Sequence, residues 1–398
     1  MSAPLEGIRV VEVASFVAAP SAGALLADLG AEVIKVEVPE GELYRHTRPR
    51  MNGFKTEIDL SPAFEMDNRG KRSLALDLTR PEALAALARV IGRVDVFLTN
   101  LLPGRQRRFG LDPDALRRRR PALVHATLNG YGTRGDEADR PAFDYTAYWA
   151  RTGMMDLMRA PDATPAFLRP GVGDHAAGMS LVCGILAALR VRDRTGVGQA
   201  IEVSLLQIGM YIQGNDFSQA LVAGESPPMH DREAPRNPLW NLYPTQDERW
   251  LMLVMIDTIR YWPAVCRALD RSDLVADPDF SGPVERYKNA RALVAIFDRI
   301  FRTRSLAEWE QSLERAGVIW SAVRHMHEAV SDPQARAMGY LPTVDHPRVG
   351  AFPTIGTPFL MSAFPMAANR PAPELGADSA VILREAGLSE DEIAKLLG

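Results

Sequence analysis

From Ile8 to Gly132 the chain alternates short β-branched runs with longer alanine- and leucine-rich stretches, and this alternation restricts the fold more than any other feature. The run IRVVEVA (8–14) reads as a buried strand, SAGALLADLG (21–30) as a helix closed by Gly30, and EVIKVEVP (32–39) as a second strand stopped by Pro39. SLALDL, PEALAALARVIGRV, DVFLTN and ALVHATLNGYG continue as strand, helix, strand and strand. Strands that alternate with helices imply an α/β fold with a mostly parallel sheet and ligands at the strands' carboxyl ends. Glu37, at the end of the second strand, suits a dinucleotide-binding unit. The turn SFVAAPSAG, however, holds Pro20 and a single glycine where G-x-G-x-x-G would let a pyrophosphate approach the backbone, so no nicotinamide cofactor is expected.

At 398 residues the chain is long enough for two domains. The polar, proline-rich stretch AGESPPMHDREAPRNP (223–238) is the best boundary between them. Beyond it, LWNLYPTQDERWLMLVM reads as a hairpin around TQDE, followed by helices, one opening with the capping box Ser305/Glu308. The tail holds two short helices, the second with Ser389 and Glu392 in the same arrangement. A net charge of −4 gives no pull toward nucleic acid. Cys183 and Cys266 sit in apolar stretches, which argues against disulfides or zinc, and His325 and His327 lack a third ligand, so no metal is expected. With no basic leader and no apolar run of about 18 residues, the expectation is a cytoplasmic protein that does not enter a membrane.

The stretch RPGVGDHAAGMS (169–180) places Asp174 between a Gly-rich turn and an apolar helix. Two readings stand side by side: a helix cap, or a nucleophile on a turn whose orphan N–H groups receive an oxyanion. His175 reads as an acid/base group or as a member of the helix's first turn, and the second is favoured because adjacent helical residues point in different directions. NRGKRS (68–73) sets Arg69, Lys71 and Arg72 at the lip of a strand, as a solvated turn or as a patch for a polyanionic nucleotide. Tyr145, Tyr148, Trp149, Met154, Met155 and Met158 suit either a core or the wall of an acyl pocket.

Eight stretches in order resemble the class III CoA-transferase family, which includes formyl-CoA transferase and carnitine CoA-transferase and has α-methylacyl-CoA racemase as a relative. They are PLEGIRVVEVASFVAAPSAGALLADLGAEVIKVEVPEGE, NRGKRSLALDL, LPGRQRRFGLDPDAL, NGYG, FDYTAYWARTG, GVGDHAAGM, RTGVGQAIEVSLL and LGADSAVILREAGLSEDEIAKL. The resemblance implies that Asp174 is a covalent nucleophile. It would attack an acyl-CoA thioester to give a mixed anhydride, then an aspartyl-CoA thioester from which a second carboxylic acid takes the CoA, with no need for ATP or metal. It further implies coenzyme A over Phe16, Val17 and Ala18, with Lys71 and Arg72 near its nucleotide, and weaker matches at Arg108, Gly130 and Tyr131. The implied fold is a Rossmann-like large domain (1–215) with a mostly parallel sheet, a linker (216–238), a smaller α+β domain (239–335) and a C-terminal segment (336–398) returning to the large domain, in an interlocked homodimer.

The departures from the family pattern narrow the activity. Formyl-CoA transferase has a glutamine where Val17 stands and an arginine where Val38 stands, and its glycine-rich active-site loop has no counterpart in MHDREAPRNPLWNLYP, which argues against formyl-CoA and oxalate. A racemase needs a histidine in place of Phe143, and phenylalanine moves no proton. CoA transfer therefore ranks above racemisation. CoA transfer within one dicarboxylic acid uses the same chemistry, and a non-catalytic CoA-binding chain is the alternative of a different class.

Overall fold

The computed structural model describes residues 3–56, 58–366, 368 and 370–398. The chain divides into two compact units, one of Met1–Met155, Phe167–Ser226 and Gln334–Gly398, the other of Asp156–Ala166 and Pro227–Pro333.

The first unit is built on six parallel strands, β1 (Arg9–Val13), β2 (Glu32–Glu37), β3 (Arg72–Ala75), β4 (Val96–Thr99), β5 (Val124–Asn129) and β6 (Ala200–Ser204). Their order, β3-β2-β1-β4-β5-β6, is that of a doubly wound nucleotide-binding sheet. The period-2 alternation of each strand feeds two cores. Val10 faces the first helix (Ala18–Asp28) and the long helix (Val172–Thr195), while Val11 and Val13 face Pro81–Ile91 and the two C-terminal helices, Ser379–Glu385 and Glu390–Leu397. Glu12 therefore lies on the first face, inside the protein. β3 is an edge strand, and the C-terminal segment covers it: Ser73 N–H donates to Asp378 at 2.9 Å and Ala75 N–H to Ser379 at 3.0 Å.

Two glycines let the helices lie close to the sheet and to each other. A methyl group on Gly23 would lie 1.9 Å from Glu12 Oε2, and one on Gly178 would lie 2.2 Å from Ser21 Oγ and 2.8 Å from the Ala18 carbonyl. Contrary to the expectation from the sequence, the long helix is long and apolar enough to cross a membrane by length and composition alone. Here Ala177, Leu181, Ile185 and Ala188 bury one of its faces in the core shared with the first helix. Cys183 also departs from expectation: it is exposed on that helix, whereas Cys266 is buried. A 24-residue helix lying along a sheet hides only one side, and Cys183 falls on the other.

The second unit carries an antiparallel sheet, β7 (Trp240–Pro244), β8 (Trp250–Val254) and β9 (Trp320–Ala322), with the hairpin turning through TQDE. Its core is aromatic, with Tyr243, Phe297, Phe301 and Trp309 fully buried. The capping boxes at Ser305/Glu308 and, in the first unit, at Ser389/Glu392 are both formed.

Candidate active site

The carboxyl end of β1 runs into a tight turn before the first helix. Phe16, in that turn, has φ +64°, a left-handed conformation that disfavours a side chain and costs on the order of 1–3 kcal/mol. Three contacts impose it. The Phe16 N–H donates to Glu42 at 2.5 Å, the Ser15 N–H donates to Asn100 at 3.2 Å, and the Asn100 amide returns a bond to the Ser15 carbonyl at 2.8 Å.

Glu42 is itself the end of a buried ladder of alternating charge. Lys35 Nζ lies 2.7 Å from Glu42 and 3.2 Å from Glu12, and Lys71 Nζ lies 2.7 Å from the other oxygen of Glu12. The Lys71 ammonium also meets the carbonyls of Pro20 and Asp67 and the side-chain oxygen of Asn68, each at 2.9 Å. Burial pushes Lys71 down to about 8. Burial opposes the charge on Lys35 too, but Glu12 and Glu42 outweigh it and leave that pKa raised.

The long helix starts opposite this turn. Its N-cap is Gly171, at φ +83°, and no side chain of its own first turn caps it. The cap comes from Asp144, whose buried carboxylate accepts the Gly171 N–H at 2.8 Å and also those of Tyr145 and Gly173. This corrects the reading of Asp174 as a capping residue: Asp174 is the third residue of the helix, past the cap. Two N–H groups of the Gly-rich turn are also already engaged, and so are not free for an oxyanion. Gly173 has to be glycine, because a methyl there would sit 2.5 Å from the Tyr148 ring.

Among the described residues, nothing donates a hydrogen bond to the Asp174 carboxylate. Burial pushes it up to about 7 from its usual 3.8; the charge of Asp144 adds to the rise, His175 opposes it and Asp67 adds a further increment. His175 Nε2 lies 3.0 Å from Asp67 Oδ1. Burial would lower the histidine's pKa, but that bond and the charges of Asp67 and Asp174 reverse the effect and hold it above normal.

Phe16, Val17, Ala18, Gly130, Phe143 and Asp174 line one cleft of about 90 Å³. The Phe143 ring stands edge-on to Phe16 with centroids 5.3 Å apart, and Tyr44 lies 6.4 Å from Phe16 on another side. Gly130 closes the floor, where a methyl would collide with Ala142 at 2.3 Å. A larger, mostly apolar cavity of about 650 Å³ is bordered by Met66, Asp67, His175 and Met179 but not by Asp174.

The other residues singled out in the sequence lie elsewhere. Lys71 is buried with its donors engaged, leaving none for a nucleotide phosphate. Arg72 starts β3 at the amino end of the sheet, away from the cleft, and is bound to Glu32 and Glu385. Tyr131 lies under Arg140 and Arg151, their guanidinium carbons 5.3 and 5.6 Å from its ring. Arg108 is exposed on the helix Pro103–Phe109, whose preceding residue, Leu102, lines the cleft. Tyr148, Trp149 and Met154 are core residues and not a pocket wall. Sequence reasoning missed Asp144, Glu42 and Asn100. Charged residues inside buried strand patterns, as in RVVEV and EVIKVE, were the one available signal for the ladder.

A profile of CoA-transferase family III matches residues 5–379. An (R)-2-hydroxy-4-methylpentanoate CoA-transferase of Clostridioides difficile is 32% identical over 394 residues, which cover 98% of this chain and 97% of that protein. A cinnamoyl-CoA:phenyllactate CoA-transferase of Clostridium sporogenes is 30% identical over 394 residues, 98% of this chain and 95% of that one. Among solved structures, a CAIB/BAIF family protein from Brucella suis matches with a TM-score of 0.85 at 28% identity, over 97% of this chain and 100% of that one.

Proposed function

This chain belongs to CoA-transferase family III, and from that premise we propose the course and the substrates of its reaction. It moves coenzyme A from an acyl-CoA thioester to a carboxylic acid. Asp174 attacks the thioester carbonyl, the CoA thiolate leaves, and a mixed anhydride forms. The thiolate then attacks the aspartyl carbonyl, the donor acid departs, and an aspartyl-CoA thioester remains. An acceptor carboxylate runs the two steps in reverse and restores Asp174. The observation that carries this reading is a carboxylate that accepts no hydrogen bond among the described residues and lies in the same cleft as Phe16, Val17 and Ala18.

The first helix, which has no side-chain cap, offers its positive end to the oxyanion of each tetrahedral step. Coenzyme A lies over Phe16–Ala18 and Gly130, with Arg108 in reach of its phosphates. The apolar cleft walls, Phe16, Val17, Leu102 and Phe143, support an acyl group with a branched or aromatic chain. The substrates named for the two relatives, a branched 2-hydroxy acid in one and the aromatic cinnamoyl and phenyllactate groups in the other, point the same way. The assembly we propose is an interlocked homodimer; Phe167, Leu221 and Val222, each more than four-fifths exposed in the single chain, support a partner surface. Phe143 has no proton to exchange, which favours transfer over racemisation.

The test is mass spectrometry after mixing the protein with individual acyl-CoAs and trapping with hydroxylamine or borohydride. An adduct on the peptide holding Asp174 is expected; full CoA transfer by Asp174→Ala would overturn the assignment.

A further inference from the structure

We propose that His175, held by Asp67, is a positioning residue for the nucleophile: an imidazolium next to Asp174 in the chain that favours the ionised form of the attacking carboxylate. The proposal rests on the reading of Asp174 as the nucleophile.

Asp67 is almost fully enclosed, its side chain 2% exposed, and a carboxylate taken out of water needs a cation. Its Oδ1 lies 3.0 Å from His175 Nε2, and its Oδ2 has no hydrogen-bond partner among the described residues. Lys71 meets the backbone carbonyl of Asp67 and spends its charge on Glu12. Arg69, on the wall of the same cavity, is committed to Asp28 through contacts of 3.1, 3.0 and 2.6 Å. The imidazole is thus the counter-ion of Asp67, and the bond fixes its ring one residue along from Asp174.

The remaining groups around Asp174 are acidic or neutral. Asp144 faces it from the segment that caps the helix, Asp67 from the helix Pro62–Asn68, and Tyr44, with Glu42 close by, from the loop after β2. Asp67, Asp144 and Asp174 therefore gather around His175, with Lys71, bonded to Glu12, a second cation felt at Asp67. The direction of the His175 shift, upward despite burial, agrees with this role.

The chemistry explains why charge, and not proton transfer, is needed. Every step exchanges an anion for an anion: a carboxylate displaces a thiolate, or a thiolate a carboxylate. No proton enters or leaves, so a general base has no task, and the requirement on Asp174 is that it be ionised.

The experiment compares pH profiles of kcat/KM for the wild type, His175→Gln and His175→Arg with one acyl-CoA donor. In the Gln variant the acidic limb should move up by about one pH unit, so that activity falls about tenfold near pH ~6 and rejoins the wild type near pH ~8.5. The Arg variant should recover the low-pH activity; should its longer side chain not fit, the Gln profile alone decides. An equal loss at every pH would mark His175 as structural only, and a profile that superposes on the wild type would give it no role; either overturns the proposal. Failure of the nucleophile assignment is read separately, on unmutated protein, as an adduct elsewhere than Asp174.

Discussion

The Asp144 carboxylate and the Gly171 amide meet at 2.8 Å across 27 residues of chain, and this contact fixes where the long helix begins. A cap supplied from a distant segment frees the helix's own first-turn acid, Asp174, from the backbone. It also sets a second negative charge beside that acid, so the same residue orders the turn and raises the pKa of Asp174.

Asp144→Ala should therefore lower thermal stability by about 0.5–2 kcal/mol through loss of the cap, with activity falling as the turn loosens. Asp144→Asn keeps an oxygen for the Gly171 N–H but removes the charge. With one acceptor oxygen for the Gly171, Tyr145 and Gly173 N–H groups, it should lose less melting temperature than Asp144→Ala, while the acidic limb of its activity moves to lower pH.

Asp174 titrates at about 7 in the folded chain against 3.8 ordinarily, so between those values the folded state holds the extra proton. Its contribution to stability is present below about pH 4 and is lost as pH rises through about 7. Asp174→Asn should abolish transfer, match the wild type in melting near pH ~4 and melt higher, by roughly 2–4 °C, near pH ~8. Equal melting temperatures at both pH values would count against the raised pKa.

Gly178→Ala would drive a methyl into Ser21 Oγ and the Ala18 carbonyl. Parting the two helices should cost about 1–3 kcal/mol in denaturant unfolding. Because Ala18 and Asp174 lie at the facing ends of those helices, kcat should fall as well, even though Gly178 lines neither cavity.

Lys71→Met leaves Glu12 short of a cation in the interior, a defect of about 3–5 kcal/mol on removing one member of a buried pair. Urea denaturation should show the loss. Coenzyme A affinity measured on the remaining folded protein should hold, and a selective loss of affinity with normal stability would instead return Lys71 to the nucleotide.

Strand and helix order was readable because parallel strands buried on both faces are continuous apolar runs with glycine and proline at their ends, as in β1, β2 and β4. A resemblance spread over the whole chain singled out Phe16–Ala18, Gly130 and Asp174, and the fold brings these to one cleft. Local spacing did not reveal that Asp144 caps a helix 27 residues on, because a cap delivered through space leaves no mark at the helix it serves. Lys71 and Arg72 misled for a related reason. A basic pair beside a strand looks alike in sequence whether it faces a phosphate, a buried glutamate such as Glu12 or a surface pair such as Glu32 and Glu385.

Dissolved ions weaken only the attractions they can approach. In concentrated brine the exposed Arg107–Asp139 and Arg80–Glu82 pairs lose most of their pull, while Lys71, Glu12, Lys35 and Glu42, sealed from solvent, keep theirs. The turn at Phe16 thus holds its shape across ionic conditions that loosen the molecule's outer arginine contacts.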